Sequence, residues 1–238
     1  KIVWYNFYHT DKIKNKKPVT IAFFGDSVTQ GCFELRVAEG KTFEPVYRPW
    51  EAYSKKLQQI FEYCIKDTSV NILNYGISGD TATMGLARID EMLCHKPDMV
   101  IVCFGLNDST KDIDGIKEYK DSLEKIFEKF YGIQTIFMTP NMTNSRVYEF
   151  ETNAEIIKLM EETAKRQNNG VMDEYMECAR QICDKYKIMV CDCYKIWKDM
   201  EQIGIDTVKL LSNKINHPTE SMHWLFAFEL FKTILKST

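Results

Sequence analysis

The 238-residue chain contains no run of about 18 consecutive apolar residues, so no membrane-spanning helix is expected. A signal-peptide pattern is missing too: Lys1 to Lys17 is polar and aromatic rather than charged and then apolar. There is no basic stripe. The 31 Lys and Arg are interspersed with 34 Asp and Glu for a net charge of -3, which argues against a nucleic-acid partner. No G-x-x-x-x-G-K-[ST] or G-x-G-x-x-G run is present to cradle a nucleotide phosphate. The G-x-S-x-G elbow of one large hydrolase class is also absent. Asp112-Ile113-Asp114-Gly115 lacks the later ligands of a calcium loop and is expected to cap a helix. No metal site and no cofactor are expected.

Cysteine is not scarce, but its useful patterns are. None of the eight (Cys32, Cys64, Cys94, Cys103, Cys178, Cys183, Cys191 and Cys193) forms a C-x-x-C pair. Most lie in apolar runs, where a free thiol behaves as a small hydrophobe, and a chain of this size needs no disulfide staples. Free thiols and a reducing, cytoplasmic location are therefore expected.

Apolar residues make up 45% of the chain, enough for a sizeable core. Short continuous apolar runs at Val19–Phe24, Val70–Asn74, Asp98–Phe104, Gln134–Thr139 and Ile188–Cys191 suit strands buried on both faces. Helical spacing falls between them. Trp50–Cys64 carries Tyr53, Leu57, Ile60, Phe61 and Cys64; Thr81–Cys94 carries Met84, Ala87, Ile89 and Leu93; Lys117–Phe130 carries Tyr119, Leu123, Ile126, Phe127 and Phe130. Met172–Tyr186 follows, and a last helix runs from near Pro218 to Leu235. Alternating strands and helices imply parallel strands joined by right-handed crossovers in one α/β domain. The expected organisation is an N-terminal arm over residues 1–18 and a single domain over 19–238. Cys32–Pro49 and Pro140–Asn153 are expected to be loops at the active end.

Three strand ends carry unusual polar content: Gly25-Asp26-Ser27, Asn74 through Gly79-Asp80-Thr81, and Gly105-Leu106-Asn107-Asp108-Ser109. Ligands of parallel α/β sheets lie beyond the carboxyl ends of the strands. The pattern suggests acyl transfer. Ser27 needs a base, and an oxyanion needs preorganised donors, which the Ser27 and Gly79 N–H groups and the Asn107 amide supply. Of the four histidines, His9 lies in the arm, His95 ends a helix and His223 lies inside the last helix; His217, at a loop-to-helix junction before Pro218, is the candidate base.

In these blocks the chain resembles the SGNH (GDSL-type) hydrolase superfamily. Gly25-Asp26-Ser27, Asn74 to Gly79, Gly105-x-Asn107-Asp108 and His217-Pro218 match its motifs in order across residues 20–230. The resemblance implies a flavodoxin-like three-layer α/β/α sandwich on a parallel five-stranded sheet. It also implies an esterase with Ser27 as nucleophile and His217 as base, and Asp26 mainly bracing the nucleophile turn. Asp26 is placed with Arg48, Trp50 and Arg146 as substrate-side residues; Trp50 fits a core position equally well. A small acyl ester, such as an O-acetyl group on a sugar, is the expected partner. The family's acid normally lies three residues before the histidine, where this chain has Lys214. Either a Ser–His pair works without a carboxylate, the imidazole being held by a backbone carbonyl or a nearby asparagine, or another carboxylate such as Asp192 or Asp206 fills in. The missing acid leaves a non-catalytic carbohydrate- or lipid-binding relative as an alternative, and a lysophospholipase or thioesterase as another.

Overall fold

The computed structural model describes Lys12, residues 16–37 and residues 43–236. Most of the expected arm, including His9, and the middle of the Cys32–Pro49 segment lie outside the described residues.

Five strands form one parallel sheet: β1 (Val19–Gly25), β4 (Val70–Gly76), β5 (Met99–Cys103), β6 (Gln134–Met138) and β7 (Met189–Cys191), in the order β4-β1-β5-β6-β7. All five match the apolar runs to within a residue or two at each end. Burial on both faces holds for β5, which is buried throughout, and nearly so for β1. It fails for β4, whose middle residues are partly exposed because an edge strand has a neighbour on one side only. Cys32–Pro49 is not a loop as expected. It carries an antiparallel hairpin of β2 (Cys32–Val37) and β3 (Phe43–Tyr47), whose ladder shifts register between Cys32 and Glu34 and so skips Phe33.

Helices cover both faces of the sheet. The helix α1 (Ser27–Gln30) is the single turn that carries Ser27, and α2 (Tyr53–Cys64) packs against the terminal helix α9 (Glu220–Lys236). Tyr53, Leu57, Ile60 and Phe61 are buried as their spacing predicts, but Cys64 is exposed. The expected single helix over 81–94 is two, α3 (Ala82–Ala87) and α4 (Ile89–Leu93). They break at Arg88, and the buried face is Ala82, Gly85, Ile89 and Met92 rather than the stripe through Met84 and Ala87. The stripe of α5 (Ile116–Lys129) is buried as read; its N-cap is Gly115, with no side-chain cap from the preceding aspartates. Met172–Tyr186 lies within α7 (Val171–Tyr186). Two helices escaped the sequence reading: α6 (Ala154–Asn168), capped by Asn153, and α8 (Cys193–Gln202), capped by Asp192. Pro140–Asn153 is irregular, as expected. All eight cysteines are free, and no described helix is long and apolar enough to cross a membrane.

Candidate active site

The serine sits where β1 runs out. Asp26 is the N-cap of α1, its Oδ1 accepting the Val28 N–H at 3.0 Å, and Gly31 in the left-handed region closes the turn. Ser27 therefore occupies the first helical position, whose N–H has no intrahelical acceptor. The turn is packed hard against β4. A Cβ on Gly76 would fall 2.2 Å from the Gln30 nitrogen, so glycine is required there.

The β4 turn is tied to the same point. Gly25 carbonyl accepts from the Ile77 N–H at 3.1 Å and from Arg88 Nη2 at 3.2 Å, while Arg88 Nε donates to Asp80 Oδ2 at 2.7 Å. In the turn, Ser78 N–H donates to Gln30 and Asp80 N–H to Ile77 carbonyl. Gly79 has φ +84, the left-handed region, and the space its Cβ would fill is open. The β5 turn joins them through Asn107, whose Nδ2 donates to Asp80 carbonyl at 2.9 Å, and through Asp108, whose Oδ1 accepts the Ala82 N–H at 2.9 Å. One Nδ2 proton of Asn107 is used in this way and the other is left over.

Across 190 residues of chain, His217 Nε2 lies 2.9 Å from Ser27 Oγ. Both residues are almost fully buried, at 3% and 4% exposure. Burial pushes the imidazole down to about 4, so the ring is neutral at pH 7; the Phe33 backbone, a hydrogen-bond acceptor, opposes the shift. Phe33 is the residue the hairpin ladder skips.

Among the described residues no carboxylate holds the far side of the ring. Asn213 does: its Oδ1 accepts the N–H groups of Ile215, Asn216 and His217 at 2.9–3.0 Å, and its Nδ2 lies 3.1 Å from His217 Nδ1. Three N–H donors fix which end of the amide is oxygen, so Nδ2 is the donor and Nδ1 the acceptor. In this arrangement the ring proton sits on Nε2 and points at Ser27 Oγ. Lys214, at the usual acid position, adopts φ +59 and turns its ammonium onto the Leu211 carbonyl at 2.8 Å. Both alternative carboxylates are engaged elsewhere. Asp192 pairs with Arg180 and caps α8, and Asp206 pairs with Arg146 at 2.7 Å.

The buried carboxyls on the serine side shift the other way. Burial raises Asp26 to about 7 and Asp108 to about 6. Asp26 is fully buried, which removes it from any surface that substrate touches and leaves it the bracing role alone. Arg48 lies 4.6 Å over the Phe33 ring and pairs with Glu34 and Glu220; Arg146 is held by Glu149 and Asp206. Trp50 is 62% exposed, so it is no part of the core. His223 is a packing residue, its Nδ1 accepting the Tyr53 N–H at 3.0 Å. Phe33 carries no sequence signal for its role, since a backbone carbonyl is common to every residue.

The sequence pattern of the GDSL-like lipase/acylhydrolase family matches residues 23–225. No curated protein matches the chain. Among solved structures, the chain is similar to a lipase/acylhydrolase from Enterococcus faecalis at 20% identity and a TM-score of 0.66, covering 91% of this chain and 95% of that one. An acetyl xylan esterase is 16% identical with a TM-score of 0.65, covering 91% and 100%. An acetyl-xylooligosaccharide esterase from Geobacillus Stearmophilus is 21% identical with a TM-score of 0.65, covering 91% and 94%.

Proposed function

The chain belongs to the GDSL-like lipase/acylhydrolase family and is a serine ester hydrolase; from that premise we propose that Ser27 and His217 carry the reaction on small acyl esters, O-acetylated carbohydrates foremost. The observation that carries this reading is the 2.9 Å contact between the buried side chains of Ser27 and His217, Oγ to Nε2. Ser27 Oγ attacks the ester carbonyl carbon and its proton passes to His217 Nε2. The Ser27 and Gly79 N–H groups and the spare Asn107 Nδ2 proton hold the oxyanion. Collapse of the tetrahedral intermediate breaks the C–O bond, and His217 returns the proton to the leaving alcohol. Water, deprotonated by His217, then cleaves the acyl-enzyme and regenerates Ser27.

To act as base, His217 must present an unprotonated Nε2, the tautomer opposite to the one Asn213 favours. The imidazolium formed in the reaction needs an acceptor for its second N–H. We assign that role to the Phe33 backbone, which already favours the charged ring, in place of a carboxylate. Two acetyl-esterases among the structural relatives support the choice of an acetyl group, and the eight free thiols support a reducing, cytoplasmic setting.

The test is hydrolysis of 4-nitrophenyl acetate by the parent and by Ser27→Ala, with an acyl-chain series alongside. Equal rates for the two proteins would overturn the assignment. The absent acid favours a second reading, a binding protein without turnover. A fluorophosphonate probe separates the two: labelling of Ser27 supports the esterase and excludes the binder.

A further inference from the structure

A cavity of about 160 Å³ opens beside Asn107. Its walls include Leu35, Leu106, Thr163, Arg166 and Asn216, the last directly preceding His217. An engineered cavity of about 150 Å³ takes up a benzene ring, so this one has room for a group of ring size. It touches the proposed oxyanion donor on one side and the histidine loop on the other.

Arg166 sets the cavity apart. The chain has six arginines. Among the described residues Arg36, Arg48, Arg88, Arg146 and Arg180 each pair with a carboxylate. Arg166 does not; its one hydrogen bond is a long 3.4 Å contact to Thr163 Oγ1, one turn back on α6. The hydroxyls around it add little competition. Those of Ser109, Thr110 and Thr163 donate to backbone carbonyls, and that of Thr143 to Gln167. A half-buried guanidinium with no counter-charge among the described residues, lining a partly open recess, is a planar donor set fitted to a carboxylate, sulfate or phosphate.

We propose that this cavity receives a ring-sized part of the substrate carrying an anionic group, which Arg166 binds while the ester lies at Asn107. The inference rests on the active-site reading above and narrows its substrate class to acidic esters, such as acetylated sugars with an acidic substituent.

Two ester pairs locate the anion. In the alcohol half, 4-acetoxybenzoate is compared with its methyl ester; in the acyl half, mono-4-nitrophenyl adipate is compared with 4-nitrophenyl hexanoate. At least one pair should show ~10-fold higher kcat/KM for the anion, falling to near parity in Arg166→Gln and partly restored in Arg166→Lys, with 4-nitrophenyl acetate turnover unchanged. Binding gives a readout free of catalysis: benzoate should bind Ser27→Ala by calorimetry, and the added Arg166→Gln should abolish it. No preference in either pair, or benzoate binding that survives Arg166→Gln, overturns the proposal. Loss of the active-site reading would show separately, as 4-nitrophenyl acetate turnover that Ser27→Ala retains.

Discussion

The two sides of the candidate cleft are held in opposite ways. On the serine side the backbone does most of the work. Three strand ends interlock through Gly25 carbonyl, Arg88, Asp80, Asn107 and Asp108, and the Ser27 turn is wedged against Gly76. On the histidine side one loop between a short 3-10 turn and α9 carries the ring, and a single asparagine organises it. The charge logic also inverts. Burial raises the serine-side acids and lowers His217. The comparison teaches that the serine side is rigid by construction, whereas the histidine side lacks the carboxylate that would anchor and charge the imidazole.

The largest expected effect lies on the serine side. Ser27→Ala removes the attacking oxygen and should lower kcat by roughly 10⁴–10⁶-fold, measured on 4-nitrophenyl acetate. Asn107→Ala should cost about 10²–10³-fold in kcat, about 2.7–4 kcal/mol, if its spare proton meets the oxyanion. A loss of less than about fivefold would remove Asn107 from that role.

Asn213→Asp tests the other side. The carboxylate keeps the oxygen that accepts three backbone N–H groups and replaces the amide donor facing Nδ1 with an acceptor. It should reverse the tautomer, raise the imidazole from about 4 and increase kcat/KM at pH 7 by about 3- to 10-fold. An unchanged pH–rate profile would show that Asn213 does not govern the ring.

The smallest expected effect concerns stability. Asp26 is raised to about 7 from an ordinary 3.8, so the folded state holds its proton and the unfolded chain gives it up. That contribution is complete below pH 3.8 and is lost as pH rises through 7. His217 works in the opposite sense. Its contribution is complete above 6.5 and is lost as pH falls toward 4. Asp26→Asn keeps the cap acceptor without the charge. Its melting temperature should gain on the parent between pH 5 and pH 8, with roughly 2–4 °C for each kcal/mol recovered. A constant difference across that range would show that Asp26 does not titrate there.

The serine side was legible in the sequence because each part of it leaves a local mark: an apolar strand, a glycine where backbones touch, a capping Asp26. The sheet was legible for the same reason. Cys32–Pro49 was mistaken for a loop because Glu34, Arg36 and Glu44 make its strands polar, and a two-stranded hairpin outside the main sheet needs no apolar run. Helix α3 was given the wrong face because Gly85, which has no apolar side chain to mark it, is the residue pressed onto Phe104. On the histidine side, His217 and the departure at Lys214 could be read. The place of Phe33 beside the ring could not, because the register shift that leaves it out of the ladder appears only in the folded hairpin. Asp26 was placed among the substrate-side residues, whereas as a capping side chain it points back into its own turn.

The claim at the centre of this account is that His217 stays uncharged because it is buried with no carboxylate partner among the described residues. Its titration, followed by NMR of a histidine-labelled enzyme with His217→Gln for assignment, tests that claim most directly. The account predicts a neutral ring down to about pH 4. Protonation at or above 6.5, the ordinary histidine value, would contradict it.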